Sequence, residues 1–128
     1  MKPMVWRSAA VFGALLLSAS AVQAATYTAM APVDQYMMDR DAEIGLAKSA
    51  APPSISDKAT VMVLTPHGYE TAVKGSNGFV CLVERAWLAE LTNPIFWNPD
   101  VRGPDCLNPA AARSVLPHDL ARAKWALG

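Results

Sequence analysis

Apolar and polar positions alternate along this chain with two different periods, and the strand-like period is the clearer. Ala59–Leu64 (ATVMVL) is apolar and β-branched at both parities, Tyr69–Val73 (YETAV) alternates, and Phe79–Glu84 (FVCLVE) is again apolar at both parities. Such runs predict half-buried or fully buried strands. Thr65-Pro66-His67-Gly68 separates the first two, and Lys74-Gly75-Ser76-Asn77-Gly78 the last two. Both connectors carry the glycine and asparagine that tight reversals use. The simplest assembly is a three-stranded antiparallel meander. Because the first and third strands are apolar toward both faces, helices or loops are expected to cover both sides.

The helical period appears before and after these strands. Gln35–Ala50 lacks proline and places Met37, Ile44, Ala47 and Ala51 near one face, with Arg40, Asp41, Glu43 and Lys48 mostly elsewhere. Asp34 is the predicted cap, Gly45 weakens the interior, and Pro52-Pro53 ends the helix. Ala25–Val33 is weakly patterned and reads as a loose lead-in. Beyond Glu84, Ala86–Leu91 has the character of a helical turn. Asn93-Pro94, Asn98-Pro99 and Gly103-Pro104 then break the chain too often for a long element. Asn108-Pro109 pairs a capping side chain with proline at the first helical position and predicts a short helix, Pro109–Val115. A second helix over Pro117–Leu127 puts Leu120, Ala123 and Leu127 on one side. The predicted class is therefore α+β: a small meander, an N-terminal helix and short C-terminal helices.

The first residues call for a separate account. Lys2 and Arg7 precede an apolar run, Ala9–Leu17, followed by small residues through Ala24. This is the layout of a secretory signal peptide, with cleavage placed after Ala24 and Ala21 as a second candidate. The apolar run is short of the roughly 20 residues that span a bilayer. No cysteine follows it, which argues against a lipid anchor. The organisation read is residues 1–24 as signal peptide and 25–128 as one exported domain. Removing the leader takes Lys2 and Arg7 from the 11 basic residues and none of the 11 acidic ones, leaving a net −2. So small a charge gives no electrostatic reason to expect nucleic acid or an anionic membrane as partner.

Export changes the meaning of the cysteines. Cys81 and Cys106 are the only two in the chain, and an even pair in an oxidising compartment reads as a disulfide. Closing the loop between them is worth roughly 3 kcal/mol, a useful increment for a domain this small. They lack the Cys-x-x-Cys spacing of a redox or zinc pair.

Asn77–Arg85 (NGFVCLVER), Phe96–Pro99 (FWNP) and Cys106–Pro117 (CLNPAAARSVLP), with Ala51–Ile55 upstream, resemble a group of uncharacterised exported bacterial proteins. The resemblance covers most of the chain beyond the leader and implies an envelope or secreted location without an assigned activity. It also implies a longer protein, continuing into a histidine-rich region near tryptophan and proline. A shortened or truncated member is accordingly one expectation for this chain.

Candidate chemistry is sparse. His67 and His118 are the only histidines, and with Asp105, Asp119 or Glu84 they are the material for a zinc site. Ser114 and His118 have the spacing of a nucleophile–base pair, interrupted by Pro117. Glu70 and Glu84, on adjacent strands of a meander, would raise one another's pKa. Arg85 and Arg113 are expected to pair with Glu84 or Asp105. Gly75-x-x-Gly78 has the spacing of a fragment of a phosphate cradle, but without the strand-to-helix context it reads as a hairpin turn. Tyr69, Trp87, Phe96 and Trp97 suit either a binding groove or the anchoring of loops on a core, and anchoring is the preferred reading. No catalytic set, metal site or cofactor is assigned. The functional expectation is a non-enzymatic periplasmic or secreted module that binds a protein or small molecule. The alternatives are a metal-dependent or acid–base hydrolase using His67 or His118, and a remnant of a longer envelope protein.

Overall fold

A computed structural model describes residues 26–128, together with residues 3 and 19–21. The apolar run of the predicted leader and its cleavage site after Ala24 lie outside the described residues. Four strands form one sheet: β1 (Thr60–Thr65), β2 (Gly68–Val73), β3 (Val80–Glu84) and β4 (Gly103–Leu107), in the order β2-β1-β3-β4. The fold is α+β with a disulfide, as expected, but the sheet is mixed and is not a three-stranded meander. β1 pairs antiparallel with β2, and β3 antiparallel with β4, whereas β1 and β3 run parallel.

The hairpin between β1 and β2 follows the turn chemistry of its residues. Thr65 Oγ1 accepts the His67 N–H and donates to the Gly68 carbonyl, and Gly68 takes φ 121°. The link from Lys74 to Phe79 does something else. It passes across the start of β1, carrying the chain to the far side of that strand. Gly75 N–H donates to Thr60 Oγ1, and the Ser76 and Asn77 N–H groups share the Lys58 carbonyl. A Cβ on Gly75 would lie 2.2 Å from both the Ala59 carbonyl carbon and the Thr60 nitrogen. The glycine that read as part of a hairpin turn is there because two stretches of backbone touch.

β4 was not expected, because Pro104 removes a ladder donor. It is tolerated on the outermost strand, opposite Val83, where the missing N–H leaves no inner neighbour unserved. Cys81 and Cys106 are direct partners across β3 and β4, with Cα atoms 4.0 Å apart, and the predicted disulfide is formed.

Helices cover both faces, as the two-sided apolar strands required. α1 (Arg40–Lys48) sets Ala47 against Ala59, Val61, Cys81 and Val83. On the other face α3 (Pro109–Ser114) and α4 (Leu116–Leu127) cover Leu82 and Leu107 with Leu116. Leu64 of β1 joins Trp87, Phe96 and Ala123, which continue that layer past the end of the sheet. Asn108 caps α3 as predicted, accepting the Ala111 N–H at 2.9 Å.

α1 begins later than predicted, at Arg40, and its cap is Asp39 rather than Asp34. A short 3-10 turn, Val33–Tyr36, precedes it and drives Tyr36 into the core. There the ring lies 4.7 Å from Trp87, and the hydroxyl donates to the Trp97 carbonyl at 2.7 Å. This anchor outweighs helix continuity. The lead-in before it carries no regular element, yet Met30 and Ala31 pack on the same cluster. Pro52-Pro53 ends α1, and a further single turn, α2 (Pro53–Ser56), follows.

β1 and β3 pair only at their starts, through Thr60 with Val80 and Val61 with Cys81. Beyond that point side chains fill the wedge between the strands. Glu43, from α1, accepts the Leu64 N–H at 3.1 Å and the Arg85 guanidinium at 3.0 Å. Arg85 Nε donates to the Tyr36 carbonyl and Nη1 to the Val83 carbonyl, which also accepts the Tyr69 hydroxyl. Backbone groups without a strand partner thus find side-chain partners instead. Arg85 therefore pairs with Glu43, not with Glu84 or Asp105, and both residues are almost fully buried. Burial also holds the Tyr69 phenol well above its ordinary pKa, so it remains a donor.

Candidate functional site

The residues singled out in the sequence do not converge. His67 lies exposed in the β1–β2 turn and His118 exposed in the first turn of α4. Among the described residues no group of three His, Cys, Asp or Glu side chains is placed to hold a metal. The Ser114 hydroxyl donates to the Ala110 carbonyl, its own helix, rather than to His118. Arg113 is exposed and makes no ion pair among the described residues.

Glu70 and Glu84 are not neighbours, because β1 separates their strands. Glu70 pairs with Arg40 on the surface at 3.1 Å. The Glu84 carboxyl is raised by burial and then by Asp105 and Asp119, and Glu70 is not among the causes. Asp119 is raised in turn by burial and by Asp105. A small carboxyl group of three thus sits where α4 meets β3 and β4. It is a cost of docking that helix.

A concave feature lies beside the packed stripe of α4, on the adjoining face of the helix. Leu116, Ala123 and Ala126 face the core, whereas Ala121, Arg122 and Trp125 share a second face at i, i+1, i+4 spacing. Facing them is the proline-broken segment after β3. Asn93 Oδ1 accepts the Ile95 N–H and Asn98 Oδ1 accepts the Asp100 N–H, so each Asn-Pro pair makes a local turn. These turns point Phe96 inward, to 2% exposure, and hold Trp97 edge-on against it at 4.6 Å. Trp125 of α4 stacks on Trp97 with centroids 6.0 Å apart.

Leu91, Phe96, Ala121, Arg122 and Trp125 together line a half-open groove of about 380 Å³. Phe96 is its buried floor, while Trp125 and Leu91 remain 60% and 65% exposed on its rim. Arg122 is fixed from behind: Nη1 donates to both the Leu88 and Ala89 carbonyls, at 3.2 and 2.9 Å. Those carbonyls come from the single 3-10 turn Ala86–Leu88 and its exit. No carboxylate lies within ion-pair distance of Arg122 among the described residues, although Asp119, three residues earlier on α4, is near enough that the guanidinium charge offsets part of the rise that burial and Asp105 give its carboxyl. An apolar body can lie on the rings, and an anion can meet the guanidinium.

Of the aromatics considered in the sequence, Trp87 and Tyr69 belong to the core and the wedge, and Phe96 reaches the groove. Trp125, Arg122 and Leu91 were not anticipated. The one legible sign was a tryptophan off the apolar stripe of the last helix. No helix among the described residues is long and apolar enough to cross a membrane. No family model, curated protein or solved structure matches this chain.

Proposed function

We propose that this is an exported, non-enzymatic binding module, periplasmic or secreted, that takes an apolar ligand in the groove between α4 and the Asn-Pro segment. The observation that carries the reading is the placement of Trp125. A tryptophan buries well over 150 Å² when packed, yet this one stands mostly exposed, stacked on Trp97 at the rim of a concavity. Apolar grooves with few polar groups are the usual form of a ligand site, and the volume falls at the small end of that range. The leader pattern of residues 1–24 and the Cys81–Cys106 disulfide support export.

The test is a thermal-shift panel of peptides and small apolar molecules on the purified protein, repeated on Trp125→Ala. A ligand at 100 times its Kd stabilises by about 2.7 kcal/mol, which raises the melting temperature by several degrees in a domain of this size. Stabilisation in the parent that disappears in Trp125→Ala supports the reading. Uniformly unchanged melting in the parent sinks it.

A further inference from the structure

We infer that the groove recognises the C-terminal end of a polypeptide, an apolar last residue together with its free carboxylate, with Arg122 as the carboxylate receptor. The inference rests on the reading of the groove as a binding site and adds to it the ligand's chemistry.

The geometry of Arg122 carries the argument. A guanidinium has five N–H donors in a planar fork, and its Nε–Nη2 edge matches the two oxygens of a carboxylate. In this protein Nη1 donates to the Leu88 and Ala89 carbonyls. That tether fixes the plane of the group from one side. The Nε and Nη2 donors have no hydrogen-bond partner among the described residues, and the residue lines the groove. A pre-oriented fork loses less rotamer entropy on binding than a free arginine side chain does. Arg85 shows the contrast within the same molecule, since Nε, Nη1 and Nη2 are all bonded internally.

The remaining lining sets the rest of the ligand. Leu91, Phe96, Ala121 and Trp125 are apolar, so the carboxylate must arrive attached to an apolar body. The space of about 380 Å³ accommodates one large side chain and its terminus, and the open side lets the preceding chain leave. A polypeptide C-terminus with a large apolar last residue meets all three conditions. An internal acidic residue places its carboxylate at the end of its own side chain, so no apolar side chain shares its Cα.

The experiment is calorimetric titration of the purified protein with an acetylated tetrapeptide ending in phenylalanine. Its comparison ligands are the same peptide as a C-terminal amide, a version ending in alanine, and 3-phenylpropionate as the bare aryl acid. The free acid is expected to bind about tenfold or more tighter than the amide, the usual worth of a charge-assisted pair. It is expected to bind tighter than the alanine-ended peptide and the aryl acid as well. Arg122→Gln should bring acid and amide to the same affinity, and Arg122→Lys should recover only part of the difference, because it keeps the charge and loses the fork. Far-ultraviolet circular dichroism of both variants checks that α4 is intact. Equal binding of acid and amide to the parent overturns the role of Arg122 while leaving an apolar groove in place. Aryl acid binding as tightly as the peptide overturns the polypeptide assignment. No binding by any of the four, with a blank thermal-shift panel, removes the binding reading itself.

Discussion

Arg85 and Arg122 sit in one small domain and are treated in opposite ways. Arg85 lies in the wedge between β1 and β3, 1% exposed, with Glu43, Tyr36 and Val83 answering its nitrogens. Arg122 lies on the outer face of α4, tethered by one nitrogen and open along its other edge. Around Arg85 every nitrogen is bonded within the fold, and around Arg122 only Nη1 is. The first arrangement holds a gap in the sheet, and the second is what a site for something external looks like. The same contrast separates the disulfide side of the sheet from the groove side: one is closed covalently, the other ends in an exposed indole.

The largest expected effect comes from breaking the wedge. Arg85→Gln strands the Glu43 carboxylate in the core and should cost about 3–5 kcal/mol in urea unfolding. Pairing it with Glu43→Leu should restore part of that loss, since the stranded charge then goes too. A single-variant cost under about 1 kcal/mol would mean the wedge is not a closed polar centre. Next comes the staple. Cys81→Ser with Cys106→Ser, or reduction of the parent, should lower stability by roughly 3 kcal/mol, read from the shift in denaturation midpoint.

A smaller effect is expected at the junction of α4 with the sheet. Burial, then Asp105 and Asp119, raise the Glu84 carboxyl, so the folded state holds that proton more tightly than the unfolded chain. Stability from this group is therefore lost once pH exceeds the raised folded value. It is regained as pH falls through that value toward the ordinary carboxyl range near 4.3. Glu84→Gln should make the protein more stable at neutral pH, with the advantage over the parent shrinking on acidification. An advantage that does not change with pH would contradict this account. Smallest of all, Arg122→Gln should cost about 1 kcal/mol or less, the scale of its solvent-exposed hydrogen bonds to Leu88 and Ala89. A loss approaching that of Arg85→Gln would make Arg122 a structural residue and end the contrast.

The parts legible in the sequence were those governed by local chemistry. Val61 with Leu64 and Cys81 with Leu82 announced strands buried on two sides, Asn108-Pro109 announced a capped helix, and the two cysteines announced their bond. Strand order was not legible. Lys74–Phe79 has hairpin composition, and only the contact of Gly75 with the backbone of Ala59 and Thr60 tells that it crosses instead. β4 was hidden by Pro104, whose exclusion from ladders lapses on an edge strand. Glu43 was placed off the apolar face because helical periodicity registers which face is apolar, not which backbone donor nearby needs an acceptor. The groove combines residues of α4 with Leu91 and Phe96 about thirty positions earlier, and no local pattern joins them.

The crossing at Gly75 divides the surface into places that tolerate additions and places that do not. Pro66 and His67 stand exposed at the tip of the β1–β2 turn, where an affinity tag or fluorophore has open space around it. The link from Lys74 to Phe79 has no slack of that kind: an extra residue there would disturb its hydrogen bonds to Lys58 and Thr60, next to the short pairing of β1 with β3.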